Sequence, residues 1–213
     1  MRPGPKPKTK KVIWSPELAY AIGLITTDGS LSSDGRHFDF TSTDIQLLET
    51  FKKCLKINNK ITSKSSGFSG YANSKNAYHV QFGDVTLYRW CTKIGLMPNK
   101  TKKLGVLLIP EKYFFDFLRG HLDGDGCIRK YQDPVYQNSQ RLYVNFCSAS
   151  LTHLKWLQNT INKLLTIKGF MRKNPIYYLT YAKNDSVKLL KSLYHSDNLP
   201  CLKRKFMIAR SFL

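Results

Sequence analysis

The chain has 213 residues and a mass of 24.5 kDa, enough for one large domain or two small ones with a sizeable core. Its 34 Lys+Arg face 14 Asp+Glu, a net charge of +20, far above the roughly 2–8 charges that keep such a domain soluble, so the surplus points to a polyanionic partner. A hydrophobic content of 42% with 12 Phe and 12 Tyr excludes a disordered basic tail, and no stretch approaches the ~18 continuous apolar residues of a membrane span.

Residues 1–11 read as a flexible basic arm: Arg2–Lys11 holds five basic residues and three prolines with no apolar periodicity. Ser15 is placed to cap a helix that has Pro16 at its first position and runs to about Thr27, where Gly29 is expected to stop it as a C-terminal glycine does. A hairpin follows. Leu31 points inward, Ser32–Gly35 turns, and Phe38 and Phe40 alternate with His37, Asp39 and Thr41. Thr43 or Asp44 starts a second helix to about Lys56, Ile61–Ser65 and Tyr78–Gly83 form two strands, and Asp84–Ile94 forms a third helix.

The second half gives the same order. A helix over 111–124 is followed by strands near 127–132 and 141–147, a helix over 150–165, strands near 167–173 and 176–182, a helix over 184–194, and a final basic segment over 199–212. The expected units are a first repeat over 12–97, a linker with a basic segment over 98–110, and a second repeat over 111–213.

The repetition is also legible residue by residue. Gly23-x-x-x-x-Asp28-Gly29 returns as Gly120-x-x-x-x-Asp125-Gly126. Phe40-Thr41-Ser42-Thr43-Asp44-Ile45 is answered by Phe146-Cys147-Ser148-Ala149-Ser150-Leu151, and Met97-Pro98-Asn99-Lys100 by Leu199-Pro200-Cys201-Leu202. Three matches in one order imply duplication, with one sheet per half and helices over one face of it.

The shared motif carries a chemical demand. Gly23 with Thr27, and Gly120 with Gly124, lie one helical turn apart on one face, and small residues at that spacing let two helix backbones approach. Asp28 and Asp125 fall at helix C-termini, where the macrodipole disfavours an anion. Packing the two helices side by side brings the carboxylates together and raises the pKa of at least one. A hard divalent cation such as Mg²⁺, with phosphate as its other neighbour, relieves both penalties. The plainer alternative is an Asp-Gly turn at each position.

Ala21–Gly29 and Leu118–Gly126 resemble the paired nine-residue motifs of the LAGLIDADG homing endonucleases, in the single-chain form with two motifs. The resemblance runs from about Ile13 to the C-terminus. It implies an α+β fold of two pseudo-symmetric αββαββα repeats, with saddle-shaped antiparallel sheets forming a DNA-binding face and the motif helices packed at the centre. It further implies a monomer that cuts both strands of a long pseudo-palindromic site across the minor groove, leaving 3′ overhangs. Metal binding falls to Asp28 and Asp125 with the adjoining Gly29 and Gly126, and two or three Mg²⁺ ions, replaceable by Mn²⁺ or Ca²⁺, would be shared with DNA phosphates. The sixth motif position is Asp123 in one repeat but Thr26 in the other, so Asp123 reads as structural. The lysine that lies late in each repeat corresponds to Lys205 in the second; in the first Lys100, Lys102 and Lys103 compete, with Lys100 and Lys102 favoured.

The exposed faces of the strands supply the reading surface: Ser32, Arg36, His37, Asp39 and Thr41; Lys60, Thr62 and Lys64; Arg129 and Tyr131; Arg141, Tyr143 and Asn145; Lys168 and Arg172; Tyr178 and Thr180. Such side chains suit major-groove base edges and flanking phosphates, and the N-terminal arm would touch the backbone without sequence preference. Five cysteines without a CxxC pair, and five histidines without HExxH, argue against zinc and for reduced thiols inside a cell. The absence of an apolar stretch after the basic N-terminus argues against secretion. Rival readings are an RNA maturase acting on the chain's own intron RNA and a regulator that binds DNA without cutting it. Both motif acids being present favours the nuclease.

Overall fold

A computed structural model describes residues 11–64, 77–136 and 140–213. The basic arm, apart from Lys11, and Ser65 at the end of the expected third strand lie outside those residues. The first repeat runs α1 (Pro16–Thr27), β1 (Gly29–Leu31), β2 (His37–Ser42), α2 (Ile45–Leu55), β3 (Ile61–Lys64), β4 (Ala77–Gly83) and α3 (Val85–Lys93). A 3-10 turn over Lys100–Lys102 and another over Glu111–Tyr113 lead into α4 (Phe114–Asp125). The second repeat continues with β5 (Cys127–Gln132), β6 (Gln140–Ser148), α5 (Leu151–Leu165), β7 (Phe170–Lys173), β8 (Tyr177–Ala182) and α6 (Lys183–Leu193), and the basic C-terminal segment forms α7 (Lys203–Arg210).

Each repeat builds one antiparallel four-stranded sheet, ordered β1-β2-β4-β3 and β5-β6-β8-β7. Period-two alternation sends Leu31, Phe38, Phe40, Val80 and Phe82 inward in the first sheet, where Phe40 meets Phe51 of α2 at 4.4 Å between ring centroids. Ile128, Leu142, Val144, Phe146, Leu179 and Tyr181 do the same in the second, beneath Leu154, Leu157 and Ile161 of α5. Burying this apolar face is what holds each sheet to its helices.

Local chemistry sets the helix ends. The Ser15 side chain accepts from the Leu18 amide at 3.1 Å, with Pro16 in the first helical position, and Asp84 accepts from the Leu87 amide at 2.8 Å. Lys56 (φ 54°) and Thr166 (φ 53°) close α2 and α5 in the left-handed region, at matching places where the sequence offers no glycine. At the end of α1 the expectation of a C-terminal stop glycine needs correction, and α4 ends in the same way. Neither Gly29 nor Gly126 adopts a left-handed conformation. A Cβ on Gly29 would lie 2.6 Å from the Ile25 Cα, and one on Gly126 would lie 2.6 Å from the Leu122 carbonyl. Space rather than φ demands these glycines, because the chain folds straight back along its own last turn to begin a strand.

The two repeats meet along α1 and α4. Leu18 to Thr26 are buried on every side, because α1 packs on α4 as well as on its own sheet and α2. Gly23 and Gly120 face each other at the crossing: a Cβ on Gly23 would lie 2.6 Å from the His121 amide nitrogen, and one on Gly120 2.9 Å from the Tyr20 carbonyl carbon. One turn further on, Thr27 fills the space over Gly124. Backbone is therefore packed on backbone at the centre of the molecule.

Candidate active site and nucleic-acid interface

The crossing of α1 and α4 fixes where their C-termini go. Asp28 follows the last residue of α1 and Asp125 is the last residue of α4, so the two carboxyl groups emerge together and act on one another electrostatically. Asp28 is half-buried and Asp125 reaches the surface. Desolvation by the surrounding protein, then the facing Asp125, pushes the Asp28 carboxyl up to about 7, and desolvation raises Asp125 as well.

Two lysines stand behind the acids. Lys100 and Lys205 are 9% and 4% exposed, and burial holds both below the usual lysine range. Lys205 Nζ donates to the carbonyls of Leu122 (2.6 Å), Asp123 (2.8 Å), Gly124 (3.3 Å) and Gly126 (2.8 Å), so it caps the C-terminus of α4 as a cation should. Lys100 Nζ donates to the Gly29 carbonyl. Each lysine thus anchors on its own repeat while opposing the other repeat's acid: Lys205 is the foremost charge lowering Asp28, and Lys100 the foremost lowering Asp125. Lys102, two residues on in the same 3-10 turn as Lys100, is exposed and lies outside this cluster.

The choice between Lys100 and Lys102 was open in the sequence because the repeats end differently. Lys100 sits two residues after Pro98 on a 3-10 turn, whereas Lys205 sits five after Pro200 on an α-helix. The geometric match, donation to the glycine that follows each motif acid, identifies Lys100 and Lys205 as counterparts.

Among the described residues no cluster of three or more His, Cys, Asp or Glu side chains could enclose a metal ion. The carbonyls of Gly29 and Gly126 each accept from a lysine, so neither is an uncommitted ligand. What the chain offers a cation is the facing pair Asp28 and Asp125, whose mutual repulsion a hard dication would relieve. Such a donor set fits an ion that takes most of its oxygens from water or a phosphate. Asp123 is committed elsewhere. It is 1% exposed and accepts from Tyr20 Oη at 2.8 Å and the Leu202 amide at 2.7 Å, while its counterpart Thr26 bonds back to the Ile22 carbonyl at 2.7 Å.

On the outward face of the first sheet, Asp39, Thr41 and Lys64 converge. Lys64 Nζ lies 3.1 Å from Asp39 and 2.8 Å from Thr41 Oγ1. His79 (3.1 Å) and Gln81 (3.5 Å) also reach Asp39, two face residues, with Ser30, that the sequence reading did not include although strand parity would have found them. Thr62 shares the exposed edge strand with Lys64, and Lys60 immediately precedes it. Arg36 and His37 are exposed at the hairpin, where their amides bond to Asp34. Ser32 is half-buried there, accepting from Tyr88 Oη at 2.6 Å.

The second sheet presents Arg129, Tyr131, Arg141 and Tyr143. The two tyrosines stack at 5.9 Å, and Arg141 Nε donates to Asp133 at 2.6 Å. Arg172 lies over the Tyr178 ring at 5.3 Å. Asn145 and Thr180 are corrections to the expected exposed face, being 6% and 3% exposed. As direct cross-strand partners on the two central strands they satisfy each other, Thr180 Oγ1 donating to Asn145 Oδ1 at 2.6 Å. Lys168 is exposed but precedes β7, which begins at Phe170.

No protein-family model matches the chain, and no curated protein matches it in sequence. Solved structures do match. The homing endonuclease I-WcaI bound to its DNA recognition sequence aligns with TM-score 0.64 and 12% identity over 97% of this chain and 95% of that one. I-DmoI in complex with DNA and Ca aligns with TM-score 0.59 and 14% identity over 92% and 97%. The N-terminal LAGLIDADG domain of DUF199/WhiA aligns with TM-score 0.57 and 16% identity over 87% and 85%. Two αββαββα repeats joined through paired motif helices, together with these likenesses, establish that the chain has the two-repeat LAGLIDADG fold.

Proposed function

We propose that this protein is a site-specific endonuclease that hydrolyses one phosphodiester in each strand of a long, pseudo-palindromic duplex DNA, acting as a monomer. The observation that carries the reading is the facing of Asp28 and Asp125, each drawn up in pKa and each opposed by a buried lysine from the other repeat. A purely binding protein has no use for two partly desolvated acids pointing at a polyanion. That arrangement costs stability and weakens phosphate contact unless a cation intervenes.

Asp28 and Asp125 would hold Mg²⁺, which when bound supplies Lewis-acid polarisation of the phosphate and a more acidic water. The chain's own contribution is positional and electrostatic. Backbone packing at Gly23 and Gly120 fixes the separation of the acids, and the network around Lys205 keeps an ammonium beside them. Lys100 and Lys205 stabilise negative charge as it grows on the phosphoryl oxygens. Water attacks phosphorus and the bond to the 3′ oxygen breaks, leaving a 3′ hydroxyl and a 5′ phosphate. The cationic outer faces of the two sheets take the flanking half-sites, about one helical turn apart. The Tyr131–Tyr143 stack with Arg129 and Arg141 supplies one face, and Lys60, Thr62 and Lys64 the other.

A randomised duplex library incubated with Mg²⁺ or with EDTA, with every cut end sequenced, tests this. Staggered, metal-dependent ends sharing one long site are expected. Selective retention of duplex without cutting would establish a binding protein instead, and tighter binding to structured RNA than to any duplex would establish a maturase.

A further inference from the structure

The two sides of the acid pair differ. Beside Asp125 is a narrow cleft of about 60 Å³ between Lys100, Thr101 and Ser148. Beside Asp28 is one of about 310 Å³ lined by Asp28, Thr41, Thr43, Gly124 and Arg204. Arg204 has no arginine opposite it, because the position before Lys100 is Asn99.

Arg204 is held in a defined pose. Its Nε donates to Asp44 Oδ2 at 2.8 Å, and the ion pair replaces the capping bond that Asp44, at the N-cap of α2, would otherwise make. In the second repeat the equivalent N-cap is Ser150, which bonds to the His153 amide and the Leu104 carbonyl, so no such tether exists there. Gln46 reinforces the pose: its Oε1 accepts from the Lys203 amide at 2.9 Å and its Nε2 donates to the Cys201 carbonyl at 3.0 Å. Among the described residues the two Nη nitrogens make no hydrogen bond, and the side chain is 63% exposed.

We infer that Arg204, pre-oriented by Asp44, is a phosphodiester-binding residue for one DNA strand only, so that the two strands are cut at unequal rates. The inference rests on the nuclease reading above. A guanidinium whose Nε is tethered presents its two Nη donors as a fork, which matches two oxygens of one phosphate better than a lysine can. The open cleft beside Asp28 has room for that phosphate. Thr43, exposed on the same wall, supplies a hydroxyl donor to one of its remaining oxygens.

The test uses the full chain and the duplex recovered from the library, each strand labelled at one end. For Arg204→Ala, cutting of one strand should slow about 10- to 100-fold, the worth of a charge-assisted hydrogen-bonded contact, with the other strand changed little and nicked duplex accumulating. Arg204→Lys should recover part of the loss, and Asp44→Asn, which keeps the arginine but weakens its tether, should slow the same strand by a smaller factor. If Arg204→Ala cuts both strands at wild-type rates, or slows both equally with a lowered melting temperature, the residue only docks the C-terminal helix and the assignment fails. Absence of any cutting by the wild-type chain would remove the nuclease reading and this assignment together.

Discussion

The proposed chemistry turns on Asp28. Asp28→Asn or Asp125→Asn should abolish double-strand cutting while leaving duplex affinity within roughly an order of magnitude, because neither change removes a sheet contact. Cutting assays paired with filter binding measure both quantities. Protons report on the same site. With its folded pKa near 7 against ~3.9 in the unfolded chain, Asp28 keeps a proton in the native state that the unfolded state has released. Its contribution to stability therefore falls as pH rises from about 4 to 7. His153 acts in the opposite sense. Burial lowers it to about 4, so acid below ~6.5 protonates the unfolded chain first and destabilises the fold. The two trends overlap, so the decisive quantity is the difference between the wild-type protein and Asp28→Asn in urea midpoints measured from pH 4 to 8. That difference should move in favour of the variant as pH rises and flatten above 7. With the proposed Mg²⁺ held by the ionised acids, the ion should raise the wild-type midpoint most at the upper end of this range.

At the scale of elements, the α1–α4 crossing has the least tolerance. A methyl group on Gly23 or Gly120 would strike the partner helix's backbone, which has no rotamer by which to yield. Gly23→Ala and Gly120→Ala should each lose at least ~2 kcal/mol by denaturant unfolding, despite alanine's better helix propensity. A gain in stability would mean that the helices are further apart than this packing requires. The C-terminal helix α7 shows the converse economy. Its Lys205 caps α4, its Arg204 pairs with α2, and the loop before it receives the Arg119 guanidinium at the Pro200 carbonyl, 2.9 Å away. Arg119 is fully buried, and its donors also reach Leu193 and Asp116, so every charge it brings inside is answered. One short basic segment thus joins both repeats to the site.

Over the whole molecule, a +20 charge should make the proposed duplex binding salt-dependent through counterion release. Replacing Arg129, exposed on the second sheet, with alanine should reduce the slope of log affinity against log salt by about one, as titrations at several salt concentrations would show. Asn145→Ala should leave that slope unchanged, since its side chain is turned to Thr180 and buried. The contrast separates residues that touch phosphate from those that merely occupy an outward register position.

Much of the architecture was determined by local sequence chemistry. Element order, the duplicated motif, the alternation of Phe38 and Phe40 with polar partners, and the placement of Asp28 and Asp125 at helix ends all follow from periodicity and capping, which act within a few residues. What only the tertiary structure decided depends on contacts between distant segments. Lys100 was separated from Lys102 by burial against the Gly29 carbonyl, which no spacing rule contains. Asn145 and Thr180 are buried because they meet across central strands, and Arg204 is held at the cleft beside Asp28 by Asp44, far away in sequence. Gly29 was expected as a C-terminal stop glycine, but it and Gly126 are needed for their lack of a side chain, since excluded volume is known only once the chain has folded back on itself.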